Sequence, residues 1–287
     1  MQKAVSITKT IFLVIFYHSL SIVSSVDTLK QGDRLNSSTY LVSANGVFTL
    51  GFYSPQNTNR VYLGIWFNYT YGPIWLWNRD KPIIDNSGVL TISSTMKLII
   101  NSSGGGPIDL YANENGMNIT ATLLNSGNFV VKEMSINGFG DKVLWQSFDY
   151  PTDTLLPRMK LGVNLMTGRN WSITSWFSEN NPAAGAFTLE WDPSRHRLII
   201  RRREVVYWTS GDLKDYIDED RPDLKLKKFE NIGYGYDPYN FIYNFVNVTK
   251  DDEDYMSYFL ETDPNRTPDN KKISGWKLNY DCFVLLL

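Results

Sequence analysis

One cysteine, Cys282, and two histidines, His18 and His196, are all that the 287 residues hold of those types. A zinc centre built from Cys and His needs several such ligands, so their scarcity excludes one. The acidic run Asp251–Asp254 lacks the spaced ligands and turn glycine of a calcium loop, and no metal or cofactor is expected. Disulfide stapling is excluded with the cysteines, so apolar burial must hold the fold together. His196 lies between Arg195 and Arg197, and no G-x-S-x-G elbow offers it a partner nucleophile. The glycines at Gly104–Gly106 and Gly233 open no strand-to-helix unit, which removes a phosphate cradle. A net charge of −2 gives nothing that would recruit nucleic acid. No amphipathic helical period lasts beyond two turns.

Long apolar runs are scarce as well. The block Ile11–Tyr17 follows Lys3 and Lys9 and precedes Ser19, Ser21, Ser24 and Ser25, the order of a secretory signal peptide over residues 1–25 cut after Ser25. A membrane span needs about 20 apolar residues, and neither this block nor the terminal "FVLLL" reaches that. The expectation is a secreted, extracellular product with no membrane span. Seven N-glycosylation acceptors agree with that route, at Asn36, Asn68, Asn101, Asn118, Asn170, Asn247 and Asn265, and each used one must face solvent.

What is abundant is strand signal. Short runs of Val, Ile, Thr, Tyr, Phe and Trp alternate with Gly, Asn, Ser and Pro turns, which predicts an all-β chain. A loose repeat, "NGVFTLGF", "SGVLTISS" and "SGNFVVKE", puts Gly46, Gly88 and Gly127 before strands at spacings of 42 and 39 residues. Each interval is the length of a three- or four-stranded sheet, and three such sheets about one axis make a prism. Beyond residue 150, "TSWFS", "VVYWTSG", "GYGYDPYNFIYNF" and "ISGWKLNY" read as aromatic strands separated by acidic loops at Asp212–Asp223 and Asp251–Asp254. Two β domains result, residues 26–150 and 151–287, joined where Pro151 and Pro157 deny backbone donors to a continuing sheet.

Two features carry candidate chemistry. Asp149 and Asp153 are the pair that could work as a glycosidase, although Asp beside Pro and Thr ordinarily bonds nearby backbone. The Arg195–Arg203 segment reads either as a solvated sheet edge or as a site for an acidic partner.

The motifs "DTLKQGDRL", "LVSANGVFTLGFYSP", "YLGIWF", "NRDKPI", "SGVLTI", "LLNSGNFVV" and "LWQSFDYPTDTLLPRMKLG" closely resemble the ectodomain of plant S-locus glycoproteins and of G-type lectin (S-domain) receptor-like serine/threonine kinases. The resemblance runs from Asp27 to Asp281. It implies a bulb-type, mannose-binding lectin domain of β-prism fold followed by a diverged lectin-like S-locus glycoprotein domain, hence tandem β-prism II domains. Relatives continue into EGF-like and PAN modules, a membrane helix and a kinase. This chain carries no V-A-I-K, H-R-D or D-F-G element, so it is expected to be non-enzymatic and truncated before those parts. Trp77 stands in "WLWNRD" where relatives have Ala.

The family's sugar motif, Gln-x-Asp-x-Asn-x-Val-x-Tyr, aligns Asn128 and Val130 as the surviving carbohydrate-binding pair, with Leu124, Ser126 and Lys132 at the other positions. A second alignment, with Ile99 as the Val, places Ser93, Thr95, Lys97 and Asn101. A site without its donors and acceptors loses affinity and discrimination. The expected role is recognition of an extracellular peptide or protein ligand, or pairing with an S-domain receptor kinase, of the pollen-recognition or defence type. A mannose-binding lectin is the alternative, and a glycosidase using Asp149 and Asp153 the third reading. The plasma membrane would be the location if the chain were part of a full receptor.

Overall fold

A computed structural model describes residues 26–68, 72–112, 118–134, 142–217, 225–232, 241–261, 274–282 and 284–286. The signal-peptide expectation and the acceptor Asn265 lie outside these residues. Among them there is no α-helix, only strands and one 3-10 turn, Ser147–Asp149.

Three two-residue strands come first: β1 (Thr28–Leu29), β2 (Arg34–Leu35) and β3 (Leu41–Val42). Three sets of three follow: β4 (Phe48–Tyr53), β5 (Tyr62–Phe67) and β6 (Trp75–Leu76); β7 (Val89–Ile92), β8 (Leu98–Ser102) and β9 (Gly105–Tyr111); β10 (Ile119–Leu123), β11 (Phe129–Glu133) and β12 (Lys142–Gln146). Each short strand is dealt to a different set, giving four-stranded sheets of order β3-β4-β5-β6, β2-β7-β8-β9 and β1-β10-β11-β12. Pairing the stretch 28–42 into all three sheets closes the prism, because no sheet is complete without that segment. β7 and β10 alternate buried and half-buried residues, the period of a sheet with one face inward. In β5, Tyr62, Leu63 and Ile65 are all fully enclosed, so that strand is covered on both faces.

The second half repeats the deal. Its strands are β13 (Thr154–Leu155), β14 (Leu161–Asn164), β15 (Asn170–Trp171), β16 (Ile173–Ser178), β17 (Asn181–Asp192), β18 (Arg197–Arg202), β19 (Val205–Tyr216), β20 (Leu226–Phe229), β21 (Ile242–Thr249), β22 (Glu253–Glu261), β23 (Trp276–Leu278) and β24 (Val284–Leu286). They form sheets of order β16-β17-β18-β19-β20, β15-β14-β22-β21 and β13-β23-β24. As in the first half, the earliest strand joins the last sheet; the next two, β14 and β15, join the middle one, and β16 opens the first. Tyr243, Phe245, Tyr258 and Trp276 pack ring on ring at its centre. Burial pushes the Tyr258 hydroxyl well above its ordinary pKa, and it donates to the carbonyl of Leu155 at 3.0 Å.

Three sequence expectations change. The repeat of three sheets is present, but the glycines mark different places in it: Gly46 and Gly88 precede β4 and β7, the first long strands of their sheets, whereas Gly127 precedes β11, the second of its own. The turn equivalent to that of Gly127 (φ 82°) lies between β7 and β8 and places Met96 at φ 57°. A non-glycine in the left-handed region hides the period from a reading keyed to glycine. Residues 212–216 are not an acidic loop but the end of β19. Finally, β18 is no solvated edge, since it pairs with β17 on one side and β19 on the other.

Polar contacts join the two sets of sheets. Arg79 donates to three carbonyls of the second set, Pro182 at 2.5 Å, Ser175 at 2.9 Å and Thr174 at 3.1 Å. Burial lowers its pKa, and the charge of Asp153 opposes that fall. In return Lys277 donates to the Pro73 carbonyl at 2.8 Å.

Candidate functional site

The turn 124–128 delivers Asn128 to the start of β11, where it is 7 % exposed. Its Nδ2 donates to Gln146 Oε1 at 2.9 Å, and its Oδ1 accepts from Ser147 Oγ and the Phe148 amide, each at 3.2 Å. Val130 is 1 % exposed. The carboxamide therefore stitches β11 to the corner after β12 and presents no free acceptor to a sugar hydroxyl. At the second aligned position Ser93 and Thr95 bond one another at 3.0 Å, and Ser93 Oγ accepts from the Lys97 amide at 3.2 Å. Asn101 is exposed on β8.

From Asn128 the network runs outward. Gln146 Nε2 donates to Asp149 Oδ1 at 3.1 Å, Asp149 Oδ2 lies 3.4 Å from Arg169 Nη1, and Arg169 Nη2 donates to the Tyr150 hydroxyl at 3.2 Å. The guanidinium also covers the Tyr150 ring at 4.8 Å. Tyr150 stacks on Trp145 at 5.5 Å and meets Trp77 edge-on at 5.3 Å, and Trp75 Nε1 donates to its carbonyl at 2.8 Å. The large residue at position 77 thus fills the space between two sheets and the corner Ser147–Tyr150.

Asp153 is a separate constellation. It is 1 % exposed and pairs with Lys277 Nζ at 2.9 Å, while Thr152 and Thr154 hydroxyls point at Oδ1 from 3.2 and 3.5 Å. Its main-chain carbonyl accepts from the Leu278 amide at 2.8 Å. In place of the backbone amides expected from sequence, the carboxyl is met by side chains: the two flanking threonine hydroxyls and a cation that arrives from β23. A glycosidase needs one carboxyl free to give up a proton and another open to the sugar carbon. Here one carboxylate is enclosed against an ammonium and the other is bound to a guanidinium.

Three arginines of the stripe are paired along their sheet, while Arg202 and Arg203 are exposed. Arg197 meets Asp192 at 3.0 Å, Arg201 meets Glu190 at 3.1 Å and Arg195 meets Asp212 at 3.9 Å. His196 stacks on Trp191, with ring centroids 5.8 Å apart.

Sequence reading passed over one concave feature. Beside β9, the outer strand of its sheet, a groove of about 610 Å³ is lined by Lys81–Asp85, Ser102 and Gly104–Asp109. Asp85 is clamped at its rim: Ser103 Oγ donates to Oδ2 at 2.6 Å, and Ser87 gives its amide at 2.9 Å and its hydroxyl to Oδ1. Those bonds, the Ser103 hydroxyl first, hold its carboxyl below the usual range. The signal was present in "DNSG" and "NSSGGG", but only the fold brings the two segments together.

Of the glycosylation acceptors among the described residues, Asn36, Asn68, Asn101, Asn118 and Asn170 are exposed and Asn247 is half-buried on β21. No helix among the described residues is long and apolar enough to cross a membrane, and no cluster of three metal-ligating side chains occurs among them.

Residues 72–177 match the D-mannose binding lectin family. The chain is 43 % identical over 207 residues to the G-type lectin S-receptor-like serine/threonine-protein kinase CES101 of Arabidopsis thaliana, covering 70 % of this chain and 24 % of that protein. It is 37 % identical over 217 residues to an S-locus-specific glycoprotein of Brassica oleracea var. alboglabra, covering 70 % and 48 %. The kinase B120 of Arabidopsis thaliana is 31 % identical over 278 residues, covering 92 % and 30 %. The chain therefore spans about a quarter to about half of the length of these relatives. Among solved structures, the Japanese Marasmius oreades lectin is similar over 42 % of this chain and 90 % of its own, with a TM-score of 0.33 and 13 % identity. A two-domain Scilla campanulata agglutinin covers 91 % and 96 %, with a TM-score of 0.28 and 10 % identity. The prism assignment rests on the sheet order described above rather than on these likenesses.

Proposed function

Since the chain belongs with the S-locus glycoproteins and the ectodomains of G-type lectin S-receptor-like kinases, we propose that it is a non-catalytic extracellular recognition module of two lectin-like domains, residues 26–150 and 151–287. It binds an extracellular peptide or protein ligand, or pairs with an S-domain receptor kinase at the cell surface. One observation carries the non-catalytic reading: the two carboxylates near the domain join are each held by a fixed cation, Asp149 by Arg169 and Asp153 by Lys277. Carboxylate oxygens engaged in this way are not open to a sugar ring. The secretory route, with glycans on the seven acceptor Asn residues, belongs to the same proposal. So does the structural use of Asn128 and Val130, whose burial leaves mannose binding at that position without support.

A second reading, a carbohydrate-binding lectin, is favoured by the groove beside β9. Two assays on the purified, glycosylated protein test these readings. Interferometry against S-domain receptor ectodomains is expected to give saturable binding. Long incubation with oligosaccharides, followed by mass spectrometry, is expected to leave chain lengths unchanged; shortened products would restore the glycosidase.

A further inference from the structure

We infer that copies of this chain associate head to tail, the β18–β19 hairpin of one seated on the adjoining turns 165–169 and 250–252 of the next. The inference goes beyond ligand recognition, and its failure leaves that reading standing.

The hairpin supplies the basic half of the contact. Arg195, Arg197 and Arg201 meet acids, whereas Arg202 and Arg203 meet none among the described residues. Arg202 lies over the half-buried Phe187 ring at 5.9 Å, and Tyr207 meets the same ring edge-on at 5.6 Å. Cross-strand register puts Phe187, Arg202 and Val205 on one face, and Tyr207 joins them as the extra residue of a bulge. Val205 and Tyr207 are 71 % and 62 % exposed. Apolar and aromatic side chains gathered beside guanidinia are the composition of a contact surface.

The opposite sign stands elsewhere in the same half of the chain. The Leu165 amide donates to the Asp252 carbonyl at 2.7 Å, which joins the β14–β15 turn to the β21–β22 turn. Leu165 and Met166 are largely exposed there. Asp251 and Asp252 are exposed beside them, and no cation pairs with their carboxylates among the described residues. Each patch thus combines two exposed apolar side chains with two unanswered charges, positive on the hairpin and negative on the turns. Glu204 and Lys250, the chain neighbours of Arg203 and Asp251, weaken those signs without reversing them.

The patches cannot meet within one chain. Asp254, at the acidic turn, accepts from Trp191 Nε1 at 3.0 Å, and Trp191 pairs with Leu198 near the start of β18, the strand that Arg202 ends. A strand of that length separates its ends by about 20 Å. Contact between unlike surfaces of identical chains is heterologous, so it propagates from copy to copy.

Sedimentation velocity of the glycosylated full chain, from about 1 to about 100 µM, tests this, with Tm measured alongside. Two charge reversals are compared: Arg202→Glu with Arg203→Glu on the hairpin, and Asp251→Lys with Asp252→Lys on the turn. The wild-type sedimentation coefficient is expected to rise with concentration, and association to weaken about tenfold or more in about 0.5 M salt, which screens exposed charges. Each variant alone is expected to stay monomeric at unchanged Tm. An equimolar mixture of the two associates again, since patches of opposite sign then face each other. Any of three results overturns the proposal: a wild type monomeric throughout, association indifferent to either reversal, or variants that remain monomeric when mixed.

Discussion

Asp149 and Asp153 sit four residues apart, yet the fold sends them to different partners and different depths. Asp153 is enclosed with Lys277, and removing one member of a buried pair typically costs about 3–5 kcal/mol. Asp149 and Arg169 are partly exposed, where such a pair contributes about 1 kcal/mol or less. Chemical denaturation of Asp153→Ala and Asp149→Ala is expected to show that ratio, with ligand affinity unchanged in both. Weakened binding at intact stability would instead make the pair functional. Gly127 offers a second check. Its φ of 82° and the Phe48 ring carbon 2.5 Å from an added Cβ predict a loss of at least about 1–2 kcal/mol for Gly127→Ala. The Asp beside Pro and Thr was legible as structural from local chemistry alone. Its lysine was not, because nothing in "GWKLNY" announces a partner more than a hundred residues upstream.

At the level of strands and corners, the aromatic group Trp75, Trp77, Trp145 and Tyr150 explains why "LWQSFDYP" is so dense in large side chains. It closes the gap between the sheet of β6 and the sheet of β12. Trp77→Ala is expected to cost about 2–3 kcal/mol by urea melt, below the about 3–5 kcal/mol of a wholly enclosed ring because Trp77 is half-buried. A neutral or stabilising outcome would mean the corner closes without it. The strands themselves were readable from alternation and β-branched residues. The arginine stripe was misplaced for a physical reason: alternation says which face a side chain takes, whereas edge or centre depends on pairing with strands distant in sequence. Glu190, Asp192 and Asp212 supply on neighbouring strands the charges that make a central Arg-rich strand tolerable.

For the whole molecule, the two prisms share one way of dealing their early strands among three sheets, and a few polar ties fix them to each other. Arg79 is the strongest of these, with three carbonyls on one buried guanidinium. Arg79→Lys keeps the charge and loses the fork, and hydrogen bonds to charged groups are worth about 1.5–3 kcal/mol each. Calorimetry is expected to show a lower Tm and a split between the transitions of the two halves, and a single unshifted transition would contradict the tie. Recognition is the function this architecture supports, since Asp149 and Asp153 are engaged in structure and neither lines the groove beside β9. The most direct test is equilibrium binding by interferometry, with the glycosylated chain immobilised and S-domain receptor ectodomains and neutral oligosaccharides passed over it. Saturable, reversible binding to at least one of these, undiminished in Asp149→Ala, is the predicted result; no binding to any of them would contradict it.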